Sequence, residues 1–163
     1  MFRVGILTAS DKGSRGERED RSAQVIKEMV QGAGWQVDYY RVIPDDPEVI
    51  AQTLVEMADK EGLDLVLTTG GTGFSPRDNT PEATRRVIEK EVPGIPEAMR
   101  ARSLQITPRA MLSRAAAGIR GACLIINMPG SPKAVRECLE VVLPSLGHGL
   151  EILTGRAGEC GNS

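Results

Sequence analysis

The sequence predicts an α/β fold in which helices cover both faces of a mostly parallel sheet. Four short apolar runs, at residues 4–8, 36–42, 63–68 and 123–127, have the length of buried strands. Segments with helical periodicity separate these runs, and strands that alternate with helices pair in parallel. The 163 residues suit one domain, which we assign to residues 1–154. Residues 155–163 are predicted to be a flexible C-terminal tail.

Caps and prolines give the expected helix boundaries. Predicted helices cover residues 20–31 and 47–60, a segment beginning at residue 80, two short pieces within 94–117, and residues 131–153. Thr80 is predicted to be an N-cap with Pro81 at the first helical position, and Ser131 is predicted to cap the last helix. Pro144 is expected to kink or break that helix because proline lacks a backbone N–H donor.

Composition disfavours several classes of function. The net charge of -2 gives no overall basic field that would attract nucleic acid or a membrane surface. No signal peptide is expected, and no apolar run has membrane-spanning length. Cys123 and Cys138 lie in apolar patterns and are predicted to be small core residues of a cytoplasmic protein. His148 is the only histidine, which disfavours a Ser-His-Asp triad or a His-rich metal site.

Three loops that follow predicted strands have a composition typical of anion binding. They read "TASDKGSRGERED", "TTGGTGFSPRDNTP" and "NMPGSP", and each leads into a capped helix. Glycines let backbone N–H groups approach an anion closely, and helix N-termini add unpaired N–H groups. All three loops are expected at the carboxyl edge of the sheet, where such folds bind ligands. A capped strand-to-helix turn would also explain any one of them, but "TTGGTG" has more glycines than such a turn needs.

Basic residues form a one-signed block between residues 98 and 136, where the sequence has no Asp or Glu. Such a block indicates a local anion site or a face that meets an acidic partner. A solvated surface paired with acidic helices elsewhere in the chain explains the block equally well. The basic residues are Arg100, Arg102, Arg109, Arg114, Arg120, Lys133 and Arg136.

Two aspartates are candidate metal ligands. Asp46 is explained as the N-cap of a helix that begins at Pro47, but Asp45 beside it has no such local role. Asp78 precedes Thr80, so helix capping does not require it either. Both Asp45 and Asp78 are expected at the carboxyl edge of the sheet, and two carboxylates among phosphate-binding loops indicate Mg²⁺. Two solvated turn aspartates are the alternative.

Several longer motifs resemble one family. The segments "LVLTTGGTGFSPRDNTPEAT", "IPDD", "GIPEAMRARSL", "LSRAAAGIRG" and "IINMPGSPKAVRECLE" resemble the MogA/MoaB-type molybdenum-cofactor biosynthesis proteins, which include the N-terminal domain of gephyrin. The resemblance covers residues 3–153, and "RDNTP" and "PGSPK" are more similar to the adenylyltransferase branch than to MoaB.

The resemblance implies a fold, a reaction and a set of site residues. The implied fold is a three-layer α/β/α sandwich of the molybdopterin-binding type, usually assembled as a homotrimer. The implied reaction transfers AMP from Mg-ATP to the terminal phosphate of molybdopterin and releases pyrophosphate. Asp45 and Asp78 match the family's functional aspartates and would bind Mg²⁺. Residues implied to bind the substrates, ATP and molybdopterin, are Ser10, Asp11, Thr69, Gly70, Gly71, Thr72, Gly73, Arg100, Pro129, Gly130 and Ser131.

The implied reaction fits a chain that has one histidine. A phosphate nucleophile is already ionised at neutral pH, so catalysis needs positioning and charge neutralisation rather than a general base. Arg100 or Arg114 is expected to neutralise phosphate charge. One departure concerns the first loop, where many family members have glycine at the position of Ala23. A ligand that approaches this glycine closely would find a different arrangement here.

Three other functions remain open at this point. A MoaB-like protein would bind the pterin without adenylylating it. A CinA-like nucleotide pyrophosphatase would hydrolyse a nucleotide; the "NMPGSPK" segment and the short single-domain chain disfavour it. A purely structural scaffold is the third, although in gephyrin such roles rest on additional domains.

Overall fold

A computed structural model of the chain describes residues 1–156. In chain order the strands are β1 (Arg3–Ala9), β2 (Gln36–Ile43), β3 (Leu65–Thr69), β4 (Lys90–Glu91), β5 (Ala117–Arg120) and β6 (Cys123–Met128). The helices are α1 (Asp11–Ser14), α2 (Arg21–Gly32), α3 (Pro47–Val55), α4 (Thr80–Val87), α5 (Gly94–Leu104) and α6 (Pro132–Leu153). A π-helical turn, Glu56–Lys60, continues α3, and a 3₁₀ turn, Pro108–Leu112, follows α5.

The described strands form one sheet in the order β2-β1-β3-β6-β5-β4. The four predicted strands pair in parallel, so their carboxyl ends reach the same edge. β5 runs antiparallel to β6, and β4 runs antiparallel to β5. These two strands were not predicted from the sequence, because β4 has only two exposed residues and β5 is a short Ala/Gly-containing segment. The predicted mostly parallel sheet is confirmed.

Two hydrophobic clusters lie on opposite faces of this sheet and make the three layers. Alternate residues of a strand point to opposite faces, and accordingly Leu65 and Leu67 pack with α2, α5 and α6. Val66 packs on the other face with Ile50 and Leu54 of α3. The three-layer α/β/α fold class is therefore confirmed. Within residues 1–156, no helix is long and apolar enough to cross a membrane.

Two predictions about helix boundaries need correction. Thr80 is the first residue of α4 rather than its N-cap; Asn79 takes the N-cap position without a side-chain capping bond. The reason is that the Thr80 N–H is held by the carbonyl of Gly71, at 3.1 Å. α6 continues through Pro144 as one helix, because Pro144 is exposed and water can bond the carbonyl that proline leaves free.

Phe2 and Arg156, near the two ends of the described residues, lie together beside the amino ends of the strands. The guanidinium of Arg156 lies 5.0 Å from the centre of the Phe2 ring and donates to Asp64 Oδ2 at 3.3 Å. The predicted tail thus begins with two described residues, Gly155 and Arg156, and the rest of it lies outside the described residues. Cys123 and Cys138 are buried, as predicted, with free thiols.

Candidate active site

A cleft lies at the carboxyl edge of the sheet, where the three predicted loops meet. Its volume is about 600 Å³. We call it the main cleft. It is lined by Thr8, Ala9, Ser10, Gly13, Arg18, Glu19, Asp20, Arg21, Ser22, Asp45, Thr69, Gly70, Gly71, Asp78, Gly130 and Pro132.

Residues 69–73, here called the glycine loop, pack closely against their neighbours. Gly70 has φ +91°, and a Cβ there would lie 2.4 Å from the carbonyl oxygen of Ala9. Gly71 has φ +72°, and a Cβ there would lie 2.3 Å from Thr80 Oγ1. Only glycine adopts this backbone conformation without strain and leaves this space free. The loop therefore lies against both the end of β1 and the start of α4.

Hydroxyl groups tie the glycine loop to residues 129–131, here called the proline loop. Thr69 Oγ1 donates to the carbonyl of Pro129 at 2.6 Å, and Ser22 Oγ donates to the carbonyl of Gly130 at 2.6 Å. The hydroxyl of Ser131 caps α6 by accepting from the Ala134 N–H. These hydroxyl groups hold the loops in place.

Asp45 and Asp11 are joined by two reciprocal hydrogen bonds beside the main cleft. The Asp11 N–H donates to Asp45 Oδ2, and the Asp45 N–H donates to Asp11 Oδ1, each at 3.0 Å. The Arg77 guanidinium donates to both oxygens of Asp11, at 2.9 and 3.1 Å. These contacts lower the pKa of Asp11, and the side-chain bond to Arg77 is the largest cause.

The other oxygen of Asp45 is unpartnered. Within residues 1–156, Asp45 Oδ1 and Thr80 Oγ1 are the buried side-chain oxygens without a hydrogen-bond partner. A Cβ added at Gly71 would lie 2.3 Å from Thr80 Oγ1 and 3.4 Å from Asp45 Oδ1, so both oxygens lie close to that glycine. Burial raises the pKa of Asp45, and the charges of Asp11 and Asp78 act in the same direction, against the Asp11 N–H and Arg77. An unpartnered, partly desolvated carboxylate oxygen is stabilised by a cation, since Coulomb attraction strengthens as solvent is excluded.

Asp78 has a local role that its sequence context did not predict. Its Oδ2 accepts from the Ser75 N–H at 3.0 Å, and its own N–H donates to the Ser75 carbonyl at 2.9 Å. These bonds close the turn between the glycine loop and α4. A Cβ at Gly73 would lie 3.0 Å from the same Oδ2. Asp78 nevertheless lines the main cleft, as Asp45 does.

Arg114 supports the glycine loop from outside. Its guanidinium donates to the carbonyls of Gly73 and Asp78, at 2.8 and 2.7 Å, and to Glu82 Oε2 at 2.7 Å. The Arg114 N–H also donates to the Thr72 carbonyl at 2.9 Å. Because protein groups accept from all three guanidinium nitrogens, Arg114 fixes the loop rather than presenting a free charge to the main cleft.

A second, smaller cleft of about 290 Å³ lies on the other side of the same loops, and we call it the side cleft. Thr72 and Gly73 of the glycine loop and Pro129 of the proline loop form its wall. Arg100 lines it too, and its Nη1 donates to the carbonyls of Ser113 and Ala115 at 3.3 and 3.2 Å. The side cleft is also lined by Arg109 and Glu137, so two arginines and one carboxylate lie in an otherwise largely apolar wall.

A family model described as "probable molybdopterin binding domain" matches residues 5–148 of the chain. The chain belongs to this family. The family resemblance predicted from the sequence is thereby confirmed.

Relatives and solved structures agree with this membership. A Helicobacter pylori protein named molybdopterin adenylyltransferase is 44% identical over 156 residues, covering 93% of this chain and 88% of that protein. Gephyrin from Dictyostelium discoideum is 42% identical over 163 residues, and the match covers 94% of this chain but only 23% of gephyrin. The crystal structure of the molybdopterin biosynthesis enzyme MoaB from Thermus thermophilus has a TM-score of 0.90 at 56% identity, covering 95% of this chain and 98% of the other.

The predicted site residues divide between the two clefts of this molybdopterin-binding domain. The main cleft brings together Asp45 and Asp78 with Ser10, Thr69, Gly70, Gly71 and Gly130. Thr72, Gly73, Arg100 and Pro129 line the side cleft instead. Asp11 and Ser131 stand beside the main cleft, where each makes the local contacts described above.

The basic block of residues 98–136 does not form one anion site. Four of its side chains pair with carboxylates elsewhere, and these ion pairs are spread over the surface. This distribution matches the alternative of a solvated, paired surface. The pairs are Arg114 with Glu82, Arg120 with Asp59, Lys133 with Glu137, and Arg136 with Glu28.

Several lining residues were not predicted individually. Asp20 accepts from the Thr8 hydroxyl at 2.6 Å and from the Tyr40 hydroxyl, and it lines the main cleft. The only sequence signal for this wall was the polar segment after the first strand. Ala23, where many family members have glycine, donates its N–H to Asp20 Oδ1 and buries its methyl group in the core. Its side chain therefore does not enter the main cleft.

The donor set of the main cleft fits Mg²⁺ bound together with a polyphosphate. Mg²⁺ prefers six oxygen ligands and commonly takes only one or two from carboxylates, with phosphates and water supplying the rest. Asp45 Oδ1 is a buried carboxylate oxygen without a partner, and Asp78 lines the same cleft. No group of three His, Cys, Asp or Glu side chains in residues 1–156 is arranged to hold a metal ion by itself.

Proposed function

We propose that this chain is a molybdopterin adenylyltransferase that acts on Mg-ATP and molybdopterin. One observation carries the proposal: two clefts share the glycine loop as a wall, and one of them is lined by Asp45, whose buried Oδ1 has no hydrogen-bond partner. A reaction that joins two phosphate-bearing substrates needs two adjacent subsites with their reacting ends at a common wall. The names of the curated relatives support the same activity.

The two clefts suit different substrates. The main cleft is the larger and has the carboxylates for Mg²⁺, so we assign the nucleotide to it. The side cleft has largely apolar walls that suit a pterin ring and two arginines that suit its phosphate, Arg100 and Arg109. Arg100 therefore keeps a substrate-binding role, and Arg114 is assigned to holding the glycine loop.

The chemistry is one displacement at phosphorus. An oxygen of the terminal phosphate of molybdopterin bonds to the α-phosphorus of ATP, and the bond between that phosphorus and the β-bridging oxygen breaks. Pyrophosphate leaves with the electron pair. Bound Mg²⁺ would supply neutralisation of the polyphosphate charge.

The chain's own residues orient the reactants. Asp45 and Asp78 would hold the metal, and backbone N–H groups of the glycine loop would orient the α-phosphate. No side chain has to accept a proton, because the attacking phosphate is already ionised.

A second candidate is binding of the pterin without adenylylation. The observation in its favour is that the structural neighbour at 56% identity carries the name MoaB. The two candidates differ in what they require of Asp45 and Asp78. A protein that only binds the pterin needs no metal-nucleotide site, so these two aspartates would have no function in it. A nucleotide pyrophosphatase remains the third candidate, and it would act on a nucleotide with no pterin present.

Membership of the family also supports proposals about the oligomeric state of the protein and its cellular compartment. We propose a homotrimer, and the exposed apolar side chains of α5 and the following segment give it a candidate contact surface. The buried free thiols of Cys123 and Cys138 support a reducing compartment, for which we propose the cytoplasm. The candidate surface consists of Leu104, Ile106, Met111 and Leu112, which are 42% to 65% exposed.

Calorimetric titration distinguishes the candidates. The protein is titrated with molybdopterin alone, with ATP and Mg²⁺ alone, and with a non-hydrolysable ATP analogue in the presence of pterin. An adenylyltransferase binds both ligands at separate sites, and Asp45→Asn weakens only the metal-nucleotide titration. Binding of the pterin alone, with no heat for the nucleotide, would contradict the proposal and favour the MoaB-like function.

A further inference from the structure

Arg77 makes a bidentate contact beside the main cleft. Arg77 lies between the glycine loop and α4, and its partner Asp11 is the first residue of α1. Arg77 Nη2 donates to Asp11 Oδ1 at 2.9 Å, and Arg77 Nε donates to Asp11 Oδ2 at 3.1 Å. Both oxygens of Asp11 are therefore engaged, so they are not free to contact a substrate.

The same Asp11 carboxylate also holds the backbone of Asp45. Asp11 Oδ1 accepts from Arg77 and from the Asp45 N–H, while the Asp11 N–H returns a bond to Asp45 Oδ2. One oxygen of Asp45 is thereby fixed, and rotation of its carboxylate would break that bond. The other oxygen, Oδ1, is left against Gly71 and Thr80 without a partner.

We propose that Arg77 is a positioning residue, which holds Asp11 so that Asp11 fixes the Asp45 carboxylate through its Oδ2 and leaves Oδ1 without a protein partner. The functional consequence rests on the proposed role of Asp45 as a metal ligand. Groups that orient a ligating carboxylate without touching the metal affect metal affinity strongly. Asp11 acts in the same way, so its role is positioning rather than direct binding of substrate.

The arginine fork matters for this arrangement. A guanidinium places two parallel N–H donors at the spacing of a carboxylate, whereas a lysine ammonium offers a single point of contact. The chain contains a matched control in Arg86, which donates to both oxygens of Glu48 at 2.7 and 3.1 Å. That pair is exposed, and neither of its members lines the main cleft. It is also bidentate, end-on through Nη1 and Nη2 where Arg77 is side-on through Nε and Nη2, and it has no link to Asp45.

The first test needs neither substrate nor metal. Amide hydrogen exchange and ¹H–¹⁵N shifts of Asp11 and Asp45 are measured by NMR in the metal-free protein and in Arg77→Met, Arg77→Lys and Arg86→Met. Exchange at both amides is expected to become at least ~10-fold faster in Arg77→Met, because the bonds that protect them loosen. In Arg77→Lys the two amides are expected to exchange at an intermediate rate, and in Arg86→Met they are expected to exchange at the rate of the parent protein. Unchanged Asp11 and Asp45 amides in Arg77→Met would overturn the proposal.

The second test measures the ligand geometry through a metal. Mn²⁺ affinity, in the presence of a non-hydrolysable ATP analogue, is read by electron paramagnetic resonance. Arg77→Met and Asp11→Asn are each expected to weaken Mn²⁺ binding about 10-fold. In the double variant, Arg77→Met with Asp11→Asn, Mn²⁺ affinity should fall no further than in the more strongly affected single variant. The reason is that both changes break the same chain of contacts.

Two outcomes separate this inference from the proposed function. If Asp45→Asn leaves Mn²⁺ affinity unchanged while the Asp45 amide still responds to Arg77→Met, the positioning inference stands and the metal assignment fails. If Asp11→Asn tightens nucleotide binding, Arg77 is a direct phosphate ligand that Asp11 restrains. That result would contradict the positioning inference.

Discussion

Gly71 and Thr80 are in direct contact: a Cβ at residue 71 would lie 2.3 Å from Thr80 Oγ1 and 3.4 Å from Asp45 Oδ1. The glycine loop, the start of α4 and the candidate metal ligand therefore meet at one point. Thr80 is fully buried, so it has no space into which it could move. This contact explains why the loop has a glycine at a position that also requires φ +72°.

Gly71→Ala is predicted to destabilise the protein more than the backbone conformation alone explains. Gly16 is the matched control, since it has φ +75° and a Cβ added there would have no neighbouring atom within 4 Å. Gly16→Ala should lower the free energy of unfolding by about 1–2 kcal/mol. Gly71→Ala should lower the free energy of unfolding by about 1–3 kcal/mol more than Gly16→Ala does, because the added methyl group overpacks the contact with Thr80. Urea denaturation measures both, and equal losses would show that the Thr80 contact is unimportant.

Asp78→Asn is predicted to leave the fold intact and to lower the turnover rate strongly. The asparagine oxygen can still accept from the Ser75 N–H, so the turn is retained while the negative charge is lost. Turnover should fall at least ~100-fold, which corresponds to about 2.7 kcal/mol in the activation free energy. Pterin affinity should stay largely unchanged.

The control for this prediction is Asp46→Asn. Asp46 caps α3 by accepting from the Glu48 and Val49 N–H groups, and asparagine is an equally good N-cap. Asp46→Asn should keep parental turnover. Steady-state assays of both variants decide the matter, and equal turnover for Asp78→Asn and the parent protein would remove Asp78 from the chemistry.

Asp45→Asn is predicted to stabilise the metal-free protein at neutral pH. Burial raises the pKa of Asp45, so the folded state binds its proton more tightly than the unfolded state. Stability from this group is then full below the unfolded pKa, near 3.8, and falls as pH rises through the raised pKa. Asparagine mimics the neutral form and avoids this loss.

Thermal unfolding in EDTA at several pH values measures the effect. The melting temperature of Asp45→Asn should exceed that of the parent protein at pH 7, and the difference should shrink as pH falls towards 4. A lower melting temperature for the variant at pH 7 would mean that the Asp45 charge stabilises the empty site.

Arg114→Met is predicted to loosen the glycine loop and to impair binding of both substrates. The guanidinium ties the carbonyl of Gly73 in the glycine loop to the carbonyl of Asp78 in the following turn and to Glu82 of α4. The free energy of unfolding should fall by about 1–3 kcal/mol, because two backbone carbonyls lose a charged donor. Both KM values should rise.

Arg114→Lys should recover little of the stability and substrate affinity that Arg114→Met loses. A single ammonium cannot reach three acceptors in the geometry of a guanidinium. Arg102→Met is the control, because Arg102 is half-buried and its side chain makes one hydrogen bond, to Gln105 at 3.4 Å. Denaturation and substrate titrations apply to all three variants. A full rescue by lysine would show that charge alone matters at this position.

The sequence was sufficient to predict the parallel core and the meeting of three loops at its carboxyl edge. Buried parallel strands are continuous apolar runs, and such runs are recognisable without a structure. The short antiparallel strands β4 and β5 were missed because two exposed residues and an Ala/Gly segment carry no such pattern. Their pairing comes from tertiary contact with β6.

Within the site, the sequence predicted which loops meet but not which side chains engage one another. Asp11 and Asp45 are 34 residues apart, and their reciprocal bonds depend on where two loops end in space. Arg100 and Arg114 looked equivalent in a basic segment, yet one lines the side cleft and the other braces the glycine loop. Such differences arise from backbone carbonyls that a sequence pattern does not locate.

The most direct test of the proposed activity is mass spectrometry of a reaction that contains the protein, molybdopterin, ATP and Mg²⁺. We expect an adenylylated pterin and an equal amount of pyrophosphate, and far less of both with Asp45→Asn or Asp78→Asn. Bound but unmodified pterin with intact ATP would contradict the proposed activity, and so would hydrolysis of ATP without a pterin product.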